Sequence, residues 1–249
     1  MAEHSQWAQI KHKKAKIDAQ RGRIFNKIIR EITVAVREGG PNPETNPRLR
    51  TAIENAKRYN MPSETIERAI KKGSGELGAE AYEEVLYEGY GPGGVAIMVI
   101  TATDNRNRTT GEIRHVFSKH GGNLGSSGCV SYLFERVGYM EVSRDAIPEE
   151  ELFEKAIEAG AEDIQTTETA YIIHTKPESL YEVKDRLSSM GIPVESVKID
   201  YKPISTVQIT DPETAKKLLK LLEALEELDD VQSVISNFDI PEEVLKTVA

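Results

Sequence analysis

Residues 137–203, VGYMEVSRDAIPEEELFEKAIEAGAEDIQTTETAYIIHTKPESLYEVKDRLSSMGIPVESVKIDYKP, hold a complete set of secondary-structure signals in a single run. GYMEVS reads as a strand. Pro148 opens a helix carrying Leu152, Phe153, Ala156 and Ile157 at helical spacing. Strands are expected near 163–167 and 170–175. A second helix from Pro177 places Leu180, Val183, Leu187 and Met190 on one face, and VESVKID reads as a closing strand. The order βαββαβ predicts a ferredoxin-like plait.

The flanks on either side of this segment are each incomplete. VLYEGYGPGGVAIMVITAT (85–103) reads as two strands around the turn Gly91-Pro92-Gly93-Gly94, the second nearly all apolar and therefore buried. A helix with Ile113, Val116 and Phe117 follows from about Thr110, and GGNLGSSG (121–128) leads into the strand CVSYLFE. After the 137–203 segment come the strand STVQIT, a helix and VQSVISNF. That helix has Asp211 as N-cap, Pro212 at its first position, and Leu218, Leu219, Leu222 and Leu225 for burial. Neither flank makes a stable sheet alone. Together they predict a second plait with the first inserted in its central connection.

The remaining N-terminal part is helical in pattern. HSQWAQIKHKKAKIDAQRGRIFNKIIREITVAVR (4–37), taken as a helix from about Lys16, puts Lys16, Arg23, Lys27, Arg30 and Arg37 on one stripe and Phe25, Ile28, Ile29, Ile32, Ala35 and Val36 on the other. Gly39-Gly40-Pro41 stops it. Asn46-Pro47 opens a second helix, with Leu49, Ala52, Ile53 and Ala56 apolar. Pro62-Ser63 opens a third, with Ile66, Ala69 and Ile70, closed by Lys71, Lys72 and Gly73. GSGELGA (73–79) reads as a linker. The fold class is therefore α+β: a basic helical domain (1–78), a discontinuous α/β domain (79–136 plus 204–249) and an inserted ferredoxin-like domain (137–203).

A net charge of −9 over 249 residues argues at first against a polyanionic partner. The average hides an asymmetry. Residues 1–72 hold 16 Lys and Arg against 8 Asp and Glu, a net of +8, whereas the remainder holds 16 against 33, a net of −17. A basic module attached to an acidic body fits nucleic-acid binding. Salt screens the body's repulsion beyond about 8–10 Å, so the basic segment can act independently. A charged helical stripe alone would more often be a solvated face. The lone Cys129 excludes an internal disulfide framework, no run of 18 apolar residues exists, and the N-terminus is polar, so a cytoplasmic protein is expected, neither secreted nor in a membrane.

No catalytic constellation can be assembled. The five histidines show no paired ligand spacing, and His115 and His120 stand about 140° apart on a helix. Cys129 reads as a core residue in a strand rather than a nucleophile. GGNLGSSG sits between a helix and a strand, the reverse of a dinucleotide loop, which precedes its helix. It reads either as a flexible turn or as a surface where backbone NH groups with Ser126 and Ser127 meet a phosphate or a protein. Thr109-x-x-Glu112 matches a capping box, which places Arg106 and Arg108 in the loop ahead of a helix N-terminus, a suitable anion site. The alternative is that these arginines pair with the protein's own carboxylates.

Several stretches together resemble the YebC family: HSQWAQIKHKKAKIDAQRGRIFNKIIREI (4–32), NPRLRTAIENAK (46–57), MPSETIERAIKKG (61–73), YEGYGPGGVA (87–96), TDNRNRT (103–109) and GGNLGSSGCVSYLF (121–134). The likeness is strong to about Phe134 and looser beyond, with Glu3 and Gln6 standing where that family has glycine and lysine. It implies three domains and nucleic-acid association without turnover, either as a transcriptional regulator or, as in mitochondrial relatives, as a translational activator.

The expectation is a non-enzymatic nucleic-acid-binding regulator, DNA-binding in the first instance, with no cofactor and no metal. Lys11, Lys13, Lys14, Lys16, Arg21, Arg23, Lys27 and Arg30 would contact phosphates, Trp7 would stack, and Arg106 and Arg108 would form a second anion contact. Reversing Arg23, Lys27 and Arg30 would weaken binding with the fold intact. Ribosomal RNA, and with it the ribosome, offers the same phosphates and is the alternative target. A small-molecule sensor is the alternative from another class, by fold analogy. The oligomeric state is open, a monomer being favoured.

Overall fold

The structure, a computed structural model, describes residues 17–78 and 82–248, and side chains are described from Gly22 onward. It divides into two compact units, one of residues up to Leu133 and from Pro203, the other of Phe134–Lys202.

In the first unit, α1 (Ile17–Gly39), α2 (Pro47–Arg58) and α3 (Ser63–Gly73) form a three-helix region with its own core. Ile28, Ile32, Ala35 and Val36 of α1 are buried against Leu49, Ala52 and Ala56 of α2 and Ile66 and Ala69 of α3. Asn46 sets the corner between the first two helices. Its Oδ1 accepts from the Leu49 amide at 3.0 Å as an N-cap, and its Nδ2 donates to the Ala35 and Gly40 carbonyls at 2.8 and 2.9 Å. Pro47 at the first helical position gives up an amide that had no helical partner to lose.

Beyond Tyr82, β1 (Glu83–Tyr90) and β2 (Ala96–Thr103) form a hairpin, α4 (Arg106–Lys119) crosses back, and β3 (Asn123–Leu124) pairs with the far side of β1. After the second unit come β8 (Val207–Gln208), α7 (Pro212–Glu226), β9 (Val231–Ser236), β10 (Phe238–Asp239) and α8 (Glu242–Val248). The sheet runs β3-β1-β2-β9 with antiparallel neighbours, and α4 and α7 bury Ile113, Phe117, Leu218 and Leu222 with Val85, Ile97 and Val99. In space this is a plait. In the chain, the strand that a ferredoxin-like plait would place third comes first.

The second unit follows βαββαβ: β4 (Phe134–Ser143), α5 (Glu149–Ala159), β5 (Asp163–Thr166), β6 (Ala170–Thr175), α6 (Leu180–Ser189) and β7 (Ser196–Pro203), in sheet order β5-β6-β4-β7. That is the order of the ferredoxin-like plait, with Met140, Val142, Leu152, Ala156, Ile173, Leu180 and Leu187 in the core.

Four local expectations are corrected. CVSYLFE is not a strand: Ser131–Leu133 form a 3₁₀ turn, and Phe134 instead begins the long β4. Cys129 therefore lies in a turn, partly exposed, with burial and the Glu88 carboxylate raising its thiol pKa. STVQIT supplies only the short β8, paired in parallel with β10 in a sheet of its own. Ile157 is exposed, because the buried stripe of α5 runs through Leu152, Ala156 and Ala159.

The basic helical region is also not independent of the acidic part of its unit. Arg48 donates to Glu31 on α1 at 2.7 Å and to Glu84 on β1 at 2.9 Å. Burial pulls its pKa down, but Glu31 and Glu84 outweigh this and hold it above the ordinary arginine value. Tyr82, at the entry to β1, has Lys72 and Arg30 over its ring at 4.1 and 4.9 Å, while its carbonyl accepts from Arg37 at 3.3 Å.

Candidate nucleic-acid interface

Helix α1 was expected to present its cations along one stripe, and the structure divides that stripe by use. Trp7, Lys11, Lys13, Lys14 and Lys16 lie outside the described residues, as does the side chain of Arg21. Arg23 is on the solvent side, its side chain 52% exposed and 3.5 Å from Glu227. Lys27 is partly buried one turn further on. Arg30 is different: its side chain is only 11% exposed, and it donates to the Asp230 carboxylate and to the Ala102 carbonyl at 3.0 Å.

Asp230, just before β9, is where the two halves of this unit are joined. Besides Arg30, its carboxylate accepts from Arg108 at 2.8 Å and from the Thr109 hydroxyl at 2.5 Å. Thr109 in turn shares a 2.7 Å hydrogen bond with Thr103. Burial raises the pKa of Asp230, but the hydrogen bonds from Arg108, Thr109 and Arg30 win, and the carboxyl sits below its ordinary value. Arg108 is held above the usual arginine value by Asp230 and Asp104 together.

These contacts revise the second anion contact. The helix starts at Arg106, because Asn105 rather than Thr109 is the N-cap and its side chain accepts from the Arg108 amide at 3.1 Å. Thr109 cannot cap, since its hydroxyl is turned back to the Asn105 carbonyl and to Asp230. Arg106 and Arg108 thus stand in the first turn of α4. Arg106 is exposed there, whereas Arg108 is balanced by two carboxylates. Arg30, Asp104, Arg108, Glu112, Glu227, Leu228, Asp229 and Asp230 line a cleft of about 460 Å³. With five carboxylates against two guanidinium groups, it disfavours a phosphate.

The glycine-rich loop is occupied from within. The carboxylate of Glu88 on β1, 2% exposed, accepts from the amides of Gly128, of Val130 at 3.1 Å and of Ser131 at 2.7 Å. Burial alone would raise the Glu88 pKa, and the backbone donors more than reverse this. The NH groups expected to meet a phosphate already hold a carboxylate of the same chain, so the loop is a built corner and not a flexible turn.

Asp230 and Glu88 carry no local signal in the sequence. Asp230 follows a helix as an ordinary acidic residue, and its partner Arg30 is 200 positions away. Glu88 is a charged residue within a strand, on the face of the pleat opposite the core residues Val85 and Tyr87, so alternation gives no inward signal for it. Among the described residues, the exposed cations of the helical region are Arg23, Arg37, Lys57, Arg58, Arg68 and Lys71. Among the described residues, no helix is long and apolar enough to cross a membrane, and no group of three or more His, Cys, Asp or Glu is placed to hold a metal ion.

Similarity to known proteins covers almost the whole chain. Residues 82–238 match the TACO1/YebC second and third domain, and residues 5–76 match the TACO1/YebC protein N-terminal domain. A "Probable transcriptional regulatory protein" of Aquifex aeolicus is 70% identical over 248 residues, covering 100% of both chains. One from Hydrogenobaculum is 60% identical, with 98% of each chain covered. The crystal structure of a conserved hypothetical protein from Aquifex aeolicus superposes with a TM-score of 0.90 at 70% identity, covering 96% of this chain and 99% of the other.

Proposed function

This chain belongs to the TACO1/YebC family, and on that premise we propose that it is a cytoplasmic, non-enzymatic regulator of gene expression that binds nucleic acid through its N-terminal helical region. Its relatives carry the name "Probable transcriptional regulatory protein", and DNA is the target we assign. The carrying observation is the exposed cationic surface of a region that is net +8 in a chain of net −9, with Arg23 half-exposed on α1 beside the equally exposed Glu227. Phosphate recognition needs only such charge, and few side chains here are suited to base edges, so sequence preference would be weak.

The contact set is narrower than a helical stripe implies. Arg23, Lys27 and Arg106, with Trp7, Lys11, Lys13, Lys14, Lys16 and Arg21, are the groups proposed to meet nucleic acid. Arg30 and Arg108 are excluded by their pairing with Asp230. Reversing Arg30 would set a carboxylate against Asp230 and disrupt the unit, so the informative variant is Arg23→Glu with Lys27→Glu. Its affinity for duplex DNA should fall at least tenfold, and the slope of log affinity against log salt should drop by about 2, at unchanged melting temperature. An unaltered slope removes Arg23 and Lys27 from the interface. Parallel sedimentation with ribosomes sets the target: migration with the ribosomal peak at near-physiological salt, without duplex binding, replaces DNA by ribosomal RNA.

A further inference from the structure

Two tyrosine rings stand in solvent beside the Glu88-bound loop, and nothing in the helical interface uses them. Tyr132 is 68% exposed and Tyr90 is 37% exposed. Both are carried on fixed backbone. Tyr90 ends β1, opposite Asn123 of β3, and its hydroxyl donates to the Cys129 carbonyl at 3.2 Å. Tyr132 follows Ser131, whose amide is bound to Glu88, and precedes Leu133, whose amide donates to Val130 at 2.9 Å and whose carbonyl accepts from Ile204 at 2.9 Å. The residues on either side of the more exposed ring are therefore bonded, and little further ordering is needed for that ring to bind a flat partner.

The electrostatic setting suits one class of flat partner. Residues 113–134 contain no Asp or Glu, although the chain has 41 such residues, and they include Arg114, His115, Lys119 and His120. Glu88, the carboxylate that this loop does meet, is buried and consumed by three backbone donors. Along the chain the nearest carboxylate to Tyr132 is the single exposed Glu135, against the five that line the Asp230 cleft. Base faces stack on exposed aromatic rings whatever the base, and only unpaired bases offer those faces.

We infer that Tyr132, with Tyr90 beside it, is a stacking platform for unpaired bases of a single-stranded stretch of nucleic acid. The inference rests on the nucleic-acid reading above and adds a strand-state preference to it. The basic helical region supplies affinity for phosphates in any form, and the platform favours the single strand.

The test is fluorescence anisotropy of the full chain with labelled 12-nucleotide RNA, DNA of the same sequence and the corresponding duplex. Tyr132→Ala should weaken binding of either single strand about tenfold and leave the duplex within about twofold. Tyr132→Phe, which keeps the ring, should bind nearly as wild type. Comparing the RNA and DNA arms then shows which sugar the site accepts. Single-strand affinity unchanged in Tyr132→Ala overturns the platform, including the case where the variant loses only a protein partner. If Arg23→Glu/Lys27→Glu loses binding and Tyr132→Ala does not, the platform alone falls. If the wild-type chain binds none of the three probes, the nucleic-acid reading falls first and the platform with it.

Discussion

Replacing Asp230 with alanine is expected to destabilise the protein by about 3–5 kcal/mol, the range for stranding a buried charge by deleting its partner. The reason lies in the number of groups that converge there. The Arg30 guanidinium is nearly buried and has the Asp230 carboxylate, the Ala102 carbonyl and the Tyr82 ring as partners, so alanine leaves a positive charge with one neutral acceptor and an aromatic face. The Thr109 hydroxyl and one arm of Arg108 lose their acceptor at the same time. For a chain of this size the midpoint of thermal unfolding should drop by roughly 6–20 °C. Arg30→Met combined with Asp230→Leu should recover part of the loss, because it removes both charges from the interior. A drop of less than about 1 kcal/mol in Asp230→Ala would mean that Arg30 has another outlet to solvent and that the pair does not join the helices to the sheet.

The same carboxyl predicts a direction with pH. Its folded pKa is depressed, so the stabilisation it gives is complete above the ordinary carboxylate range and disappears as pH falls through the lowered value. The wild-type protein should therefore lose stability on acidification faster than Asp230→Asn, and the two melting curves should converge at low pH.

How far the sequence carries the fold can be judged from particular residues. Asn46-Pro47 and Asp211-Pro212 start helices where they stand, because a capping side chain and a residue without an amide act within one turn. The βαββαβ unit around 137–203 was legible because each of its elements has a clean apolar period and a stop. The misreadings at the Asp230 site share a cause. Asn105 and Thr109 are both good capping residues, and the choice between them depends on Asp230, more than a hundred positions away. Arg30 and Arg23 are indistinguishable as members of one stripe, and only the sheet packed against α1 decides which of them is buried. Local physics was readable and long-range electrostatics was not. That is why the helices were found but the division of the basic stripe was missed.

Glu88→Ala should produce the other large effect, and by a different route. No charge is left buried, but three amides lose their acceptor together: Gly128, Val130 and Ser131. An unsatisfied buried donor costs about 1–3 kcal/mol, and the half-buried ones can recover water, so a total near 3 kcal/mol is expected. Glu88→Gln should fall between, since the amide keeps one accepting oxygen and turns its NH₂ group toward a donor. The effect should be local as well as global: hydrogen exchange at those three amides should accelerate in Glu88→Ala by more than the loss of global stability accounts for. The sign with pH follows from the depressed pKa: the carboxylate's contribution is present at neutral pH and is lost as the solution is acidified through the folded pKa. If the tyrosine platform depends on this corner, Glu88→Ala should also weaken single-strand binding while every ring is retained. Unchanged exchange at Gly128, Val130 and Ser131 would show that the loop holds its shape without Glu88, and the rigidity assigned to Tyr132 would then lose its physical basis.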